Sequence, residues 1–195
     1  MCIRDSAKVA HEEAAEIAFT TFEEAGLLGE ECHEAISTEQ ALEGCMGIID
    51  SGATSSLGSV EALEKIMLNN IQQSGDSKMA IDLQRRPTFK FGNGQKKDCL
   101  STVTVGVGAG CKEGHMEIHV HDTPGQPVLV SRKALKALGA VIDFGESKAI
   151  YTKVDPSQVV PLKEAENGHL LMPITGNILA GATKRGAPFL SLDCE

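Results

Sequence analysis

The sequence predicts a mostly β domain with a helical segment before it and one short helix near its end, on three observations. Apolar and polar residues alternate with a period of two through Phe89 and Phe91, Val103 and Val105, and Met116, Ile118 and Val120. These runs are separated by Gly- and Asn-containing turns. The 195 residues include no Trp, one Tyr and six Phe, so the core has to be mainly aliphatic, which suits strands of Val, Ile and Leu.

Three regions follow along the chain: an acidic helical segment over 1–44, the β domain over 45–153, and an extended stretch or linker over 154–195. Within the first, Met1-Cys2-Ile3-Arg4-Asp5-Ser6 resembles a translated sequencing adapter and is given no structural meaning. From Ala7 to about Ala25, the residues Ala10, Ala14, Ile17, Ala18 and Phe22 recur at helical spacing between glutamates, and Gly26 is a stop signal. Ser37-x-x-Gln40 has the form of a capping box and predicts a short helix ending at Gly44.

The texture changes at Cys45. Met46 to Ile49 is an apolar run that ends in Asp50-Ser51-Gly52, which places Asp50 at the end of a buried strand. Helical spacing returns from Ser59 to Leu68, and the polar stretch from Gln72 to Arg86 reads as a surface loop. Asn93-Gly94 after Phe89 and Phe91 predicts a hairpin turn of type I′, with a return strand reaching Val107.

A glycine-rich turn from Gly108 to Gly114 leads into the alternating run His115 to His121. Asp122-Thr123-Pro124-Gly125 then turns the chain into the apolar Pro127-Val128-Leu129-Val130. Ser131 is the expected N-cap of a helix from Arg132 to Leu138, ended by Gly139. Two strands, Ala140 to Phe144 and Ala149 to Thr152, flank Gly145-Glu146-Ser147. Beyond them Pro156, Pro161, Pro173, Pro188 and irregularly spaced glycines suggest an extended wrap.

Composition narrows the function. A net charge of -9 opposes attraction to a phosphate backbone, so no direct nucleic-acid partner is expected. No apolar run approaches the ~18 residues of a membrane span, and no basic-then-apolar leader opens the chain, so the expectation is a soluble, cytoplasmic protein without a membrane partner. The six cysteines form no C-x-x-C pair. His115, Glu117, His119 and His121 share one strand face, which reads as a solvated polar face rather than a metal site. Neither metal nor cofactor is expected.

The pattern Ile48-Ile49-Asp50-Ser51-Gly52-Ala53, followed about eighty residues later by Leu129-Val130-Ser131-Arg132 and a helix ending in Leu138-Gly139, resembles the retropepsin family, the aspartic proteases of retroviruses and retrotransposons. The resemblance covers about residues 45–152. It implies a retropepsin-like acid-protease half-barrel in which Asp50 is the acid/base. Ser51 would bond across a two-fold axis, Gly52 would let the backbone approach substrate, and Ala53 would line the cleft floor. Phe91, Gly92, Asn93 and Gly94 would form a flap over an extended peptide.

Two positions depart from the family pattern. Thr54 stands where viral members usually place an Asp that pairs with the helix Arg, and Ser131 stands where a Gly is usual. Hydrolysis by carboxylates needs two of them. Asp122-Thr123-Pro124 and Asp143-Phe144-Gly145 are poor second sites: Pro124 lacks an N–H and the freedom of Gly, and Phe144 lacks a hydroxyl. The expectation is a homodimer with one Asp50 per chain, acting as an endopeptidase on a retrotransposon polyprotein. The competing expectation is a catalytically inactive dimerisation or peptide-binding module of the same fold.

Overall fold

Two parallel strand pairings organise the main sheet of the computed structural model, which describes residues 35–90 and 96–186. β1 (Met46–Asp50) runs parallel to β8 (Val128–Ser131), and β2 (Ser56–Ser59) runs parallel to β7 (Lys112–His121). Because β2 also touches β8 through Leu57 and Leu129, the two pairs merge into one sheet. β3 (Met79–Asp82) and β6 (Ser101–Ala109) extend it on one side. β12 (Lys163–Glu164) and β13 (Leu170–Pro173) extend it on the other, giving eight strands in the order β12-β13-β1-β8-β2-β7-β6-β3. The protein is mostly β, as its alternating runs predicted.

The remaining strands form two smaller sheets. β9 (Ala140–Asp143), β10 (Lys148–Tyr151), β11 (Gln158–Pro161) and β14 (Thr183–Lys184) pair in the order β14-β11-β10-β9, which leaves β9 at an edge. β4 (Thr88–Lys90) and β5 (Lys96–Asp98) form a two-stranded antiparallel ribbon. Three helices complete the described residues: α1 (Thr38–Glu43), α2 (Val60–Ser74) and α3 (Arg132–Leu138). None is long and apolar enough to cross a membrane. The helix expected from Ala7 to Ala25 lies outside the described residues.

Local signals set both ends of α1 and α3. The capping box at α1 is complete: Gln40 N donates to Ser37 Oγ at 3.2 Å, and Ser37 N donates to Gln40 Oε1 at 2.8 Å. Ser131 caps α3 through a bond from Ala134 N, and Gly139 ends it at φ 64. α2 starts on Ser59 and places Ala62, Leu63 and Ile66 in the core. It continues past Leu68 to Ser74, where Gly75 at φ 75 stops it.

The stretch from Gln72 to Arg86 is therefore not one loop. Its middle, β3, pairs with β6 from Met79↔Val105 to Asp82↔Thr102. β3 is only four residues long, lies at the sheet edge with Ala80, Ile81 and Asp82 exposed, and is flanked by polar residues, so no sustained alternation marks it in the sequence.

The larger departure is after residue 153. Far from a linker, this part supplies β11, β12, β13 and β14. β13 lies antiparallel beside β1, with Met46↔Pro173 and Ile48↔Leu171 in register. Leu170, Leu171, Met172, Ile174 and Ile178 are all buried. Of its prolines, Pro161 closes β11 and Pro173 closes β13, strand ends where a missing N–H costs least.

The same segment stitches onto the end of β6. Gly108 N donates to Gly176 O at 3.0 Å and Ile178 N donates to Gly108 O at 2.9 Å. A Cβ on Gly108 would come within 2.7 Å of the Gly176 carbonyl oxygen, so this close approach of two backbones requires glycine.

Candidate active site at the end of β1

Asp50 ends β1 directly beside Ser131, the last residue of β8, because the two strands are parallel and in register at that pair. The loop leaving Asp50 is thereby brought against the start of α3. Arg132 N donates to Ala53 O at 3.0 Å. Ser131 N donates to Ser56 Oγ at 3.2 Å, and the buried Ser56 hydroxyl donates to Ser131 Oγ at 3.1 Å. Residues 50–56 are thus clamped from behind by polar groups that are fully bonded to one another.

The Asp50 side chain is half-buried. Its Oδ1 accepts from Gly52 N at 2.8 Å and Ala53 N at 3.0 Å. Oδ2 has no partner among the described residues. A Cβ on Gly52 would stand 3.2 Å from Oδ1, a tight contact that glycine avoids. Ser51, Gly52 and Thr54 are exposed, and Ala53 is half-buried beneath them.

This turn of hydrogen bonds is not special to Asp50. Asp82 Oδ1 accepts from Gln84 N and Arg85 N, and Asp143 Oδ1 accepts from Gly145 N and Glu146 N, in the same i+2, i+3 pattern. What distinguishes Asp50 is the buried serine pair and the α3 contact behind its loop.

The other sequence-selected residues fall as follows. Phe91, Gly92, Asn93 and Gly94 lie outside the described residues; the strands flanking them, β4 and β5, pair with each other from Thr88↔Asp98 to Lys90↔Lys96. Asp122 forms an ion pair with Lys97, and Asp143 serves its own turn, so neither is bonded to the Asp50 loop. The Arg132 side chain is exposed and makes no ion pair among the described residues.

One expectation is overturned by burial. The polar face of β7 is not solvated at its C-terminal half: His119 is 5% and His121 is 4% exposed. Both imidazoles are held below the ordinary histidine range, first of all by burial. Among the described residues no group of three or more His, Cys, Asp or Glu side chains is placed to hold a metal ion.

A cavity of about 430 Å³ runs between β7 and α3, with Met116, Leu138, Met172 and Ile178 on its apolar walls and Ser56, Ser131 and His119 among its polar ones. Asp50 does not line it.

Sequence reasoning missed Ser56, whose partner is 75 residues away. It also missed the cluster around His119, formed by Thr102, Glu117, Arg85 and Phe89. No local pattern marks either. Neither a family model nor a curated protein matches the chain.

Proposed function

We propose that this chain is an aspartic endopeptidase of retropepsin type, active as a homodimer on an extended polypeptide, with retrotransposon polyprotein as the substrate class. The observation that carries the reading is the Asp50 turn: a carboxylate with one oxygen oriented by two backbone N–H groups and the other without a partner among the described residues, on a loop braced by the β8–α3 junction. A fixed carboxylate with an open oxygen is what water activation needs.

The chemistry requires a second carboxylate, and a second copy supplies it most simply. Two carboxylates brought together cannot both stay ionised, so one holds a proton. The ionised one takes a proton from water as the water attacks the peptide carbonyl. The protonated one hydrogen-bonds the carbonyl oxygen and stabilises the charge developing there. The edge of β9 supports dimerisation: among the described residues it has a strand on one side only, and Val141 and Phe144, 36% and 69% exposed, stand on and beside it.

A second reading, a non-catalytic peptide-binding module of the same fold, draws support from the turns at Asp82 and Asp143, which reproduce the Asp50 hydrogen bonds without any site. Incubation with denatured casein at pH 4 to 6 separates the two. Cleavage is expected, and Asp50→Asn is expected to abolish it while leaving the circular dichroism spectrum unchanged. Cleavage that survives Asp50→Asn removes the catalytic assignment, and a folded wild type that never cleaves leaves the binding module. Size exclusion is expected to give a dimer that Phe144→Glu weakens.

A further inference from the structure

His119 is bonded and covered in a way that favours its neutral form. The single hydroxyl proton of Thr102 is donated to the carbonyl oxygen of Arg85 at 2.7 Å. The 2.8 Å contact between Thr102 Oγ1 and His119 Nδ1 therefore runs the other way, and Nδ1 carries the ring's proton. Nε2 of the neutral ring is then bare. It faces Glu117 Oε1 at 3.8 Å, beyond hydrogen-bond reach, and that oxygen already accepts from Arg85 Nη2 at 2.9 Å. Arg85 Nη1 holds the other carboxylate oxygen.

The remaining neighbours are no more hospitable to a second proton. Phe89 of β4 lies against the imidazole with ring centroids 5.4 Å apart. Arg85 and Lys133 both act on the ring as positive charges, opposed by Glu117. A proton on Nε2 would put a charge on a ring that is 5% exposed; Glu117, shared with Arg85, favours that charge, but burial outweighs it.

The cover over this site has a rigid part and a movable part. β6 and β7 are inner strands of the large sheet and hold Thr102, Glu117 and His119 in place. Phe89 belongs to the β4–β5 ribbon, whose strands pair only with each other, and Arg85 belongs to the exposed connector leading into it. The far side of the ribbon is tethered differently, by Lys97 of β5 to Asp122 and to Thr123 Oγ1. Lys97 holds the Asp122 carboxyl below its usual range, so that tether persists in mild acid.

We propose that His119 is an acid-operated release: a second proton on its ring frees Phe89 and the 83–87 connector from β7, so that the ribbon swings out on its Lys97–Asp122 tether. Phe89 and Arg85 are not part of the cavity wall that His119 also joins, so their departure opens further ring surface to water, and the charge favours the state in which the ring is more fully hydrated. The device needs nothing from Asp50 and stands whether or not the chain is a protease.

The test uses the full chain, labelled for histidine and amide NMR, from pH 7.5 to 4.5. The His119 ring signals are expected to titrate below the ordinary histidine midpoint. Exchange protection of amides 85–90, corrected for intrinsic rates, is expected to fall along the same curve, by about tenfold for each pH unit separating the closed and open midpoints. His121, which faces Lys97 and Asp122, is resolved by its own signals. His119→Gln is expected to remove the pH dependence. Phe89→Ala is expected to raise the His119 midpoint toward ~6.5 by opening the cover. Protection that stays flat while His119 titrates overturns the proposal. So does pH dependence that persists in His119→Gln, or a midpoint unmoved by Phe89→Ala.

Discussion

At the scale of single residues, Ser131 shows how one side chain joins local and long-range structure. As an N-cap it accepts from Ala134 N at 3.3 Å, a role legible from its place before Arg132-Lys133-Ala134-Leu135. As the partner of Ser56 it also closes the buried clamp behind the Asp50 loop. Where a Gly would leave the loop to other contacts, Ser here ties it to β8. Ser131→Ala is expected to cost about 1 to 3 kcal/mol, from a lost cap plus a buried Ser56 hydroxyl without its acceptor. Urea unfolding measures this, and a loss under about 0.5 kcal/mol would show the pair to be idle.

At the scale of elements, β13 decides how far the domain extends. Its residues Leu170, Leu171 and Met172 are each 4% exposed or less, with Ile174 just beyond at 0%. Full burial of four such side chains contributes about 6 to 12 kcal/mol, comparable to the whole net stability of a domain. A chain ending at residue 153 is therefore expected to lose its dispersed amide NMR spectrum and to aggregate, whereas one ending at residue 186 is expected to fold. A dispersed spectrum from the shorter chain would show that β1 finds another neighbour.

The same scale explains the mistaken reading of β7. Alternation correctly marked Ile118 and Val120 as core. The same alternation predicts a solvated opposite face, because a strand's polar face usually is. Phe89 of β4 covers His119 there, and no residue within β7 announces that cover.

For the molecule as a whole, the two buried histidines set an acid limit. Burial lowers the native midpoints of His119 and His121 below the unfolded value of about 6.5. Between that value and the native midpoints the unfolded chain binds protons that the native chain refuses. Stability is accordingly full above pH ~6.5 and falls as the pH drops, by up to about 1.4 kcal/mol per unit for each histidine. Urea midpoints at pH 7.5, 6.5 and 5.5 are expected to decline in that order, and the double variant His119→Gln, His121→Gln to flatten the decline. A protease working at acid pH would then operate where its fold is weakening.

The sequence by itself determined the mostly β class, the caps at Ser37, Ser131 and Gly139, and the position of Asp50 at the end of a buried strand. Each depends on contacts within a few residues, whose periodicity and hydrogen-bonding chemistry are written in a short window. Tertiary structure alone decided that β1 lies between β8 and β13, that Ser56 meets Ser131, and that Phe89 packs on His119. These depend on which distant surfaces meet. Polar residues such as Ser56 and His119 carry the same local signature whether water or protein completes their hydrogen bonds.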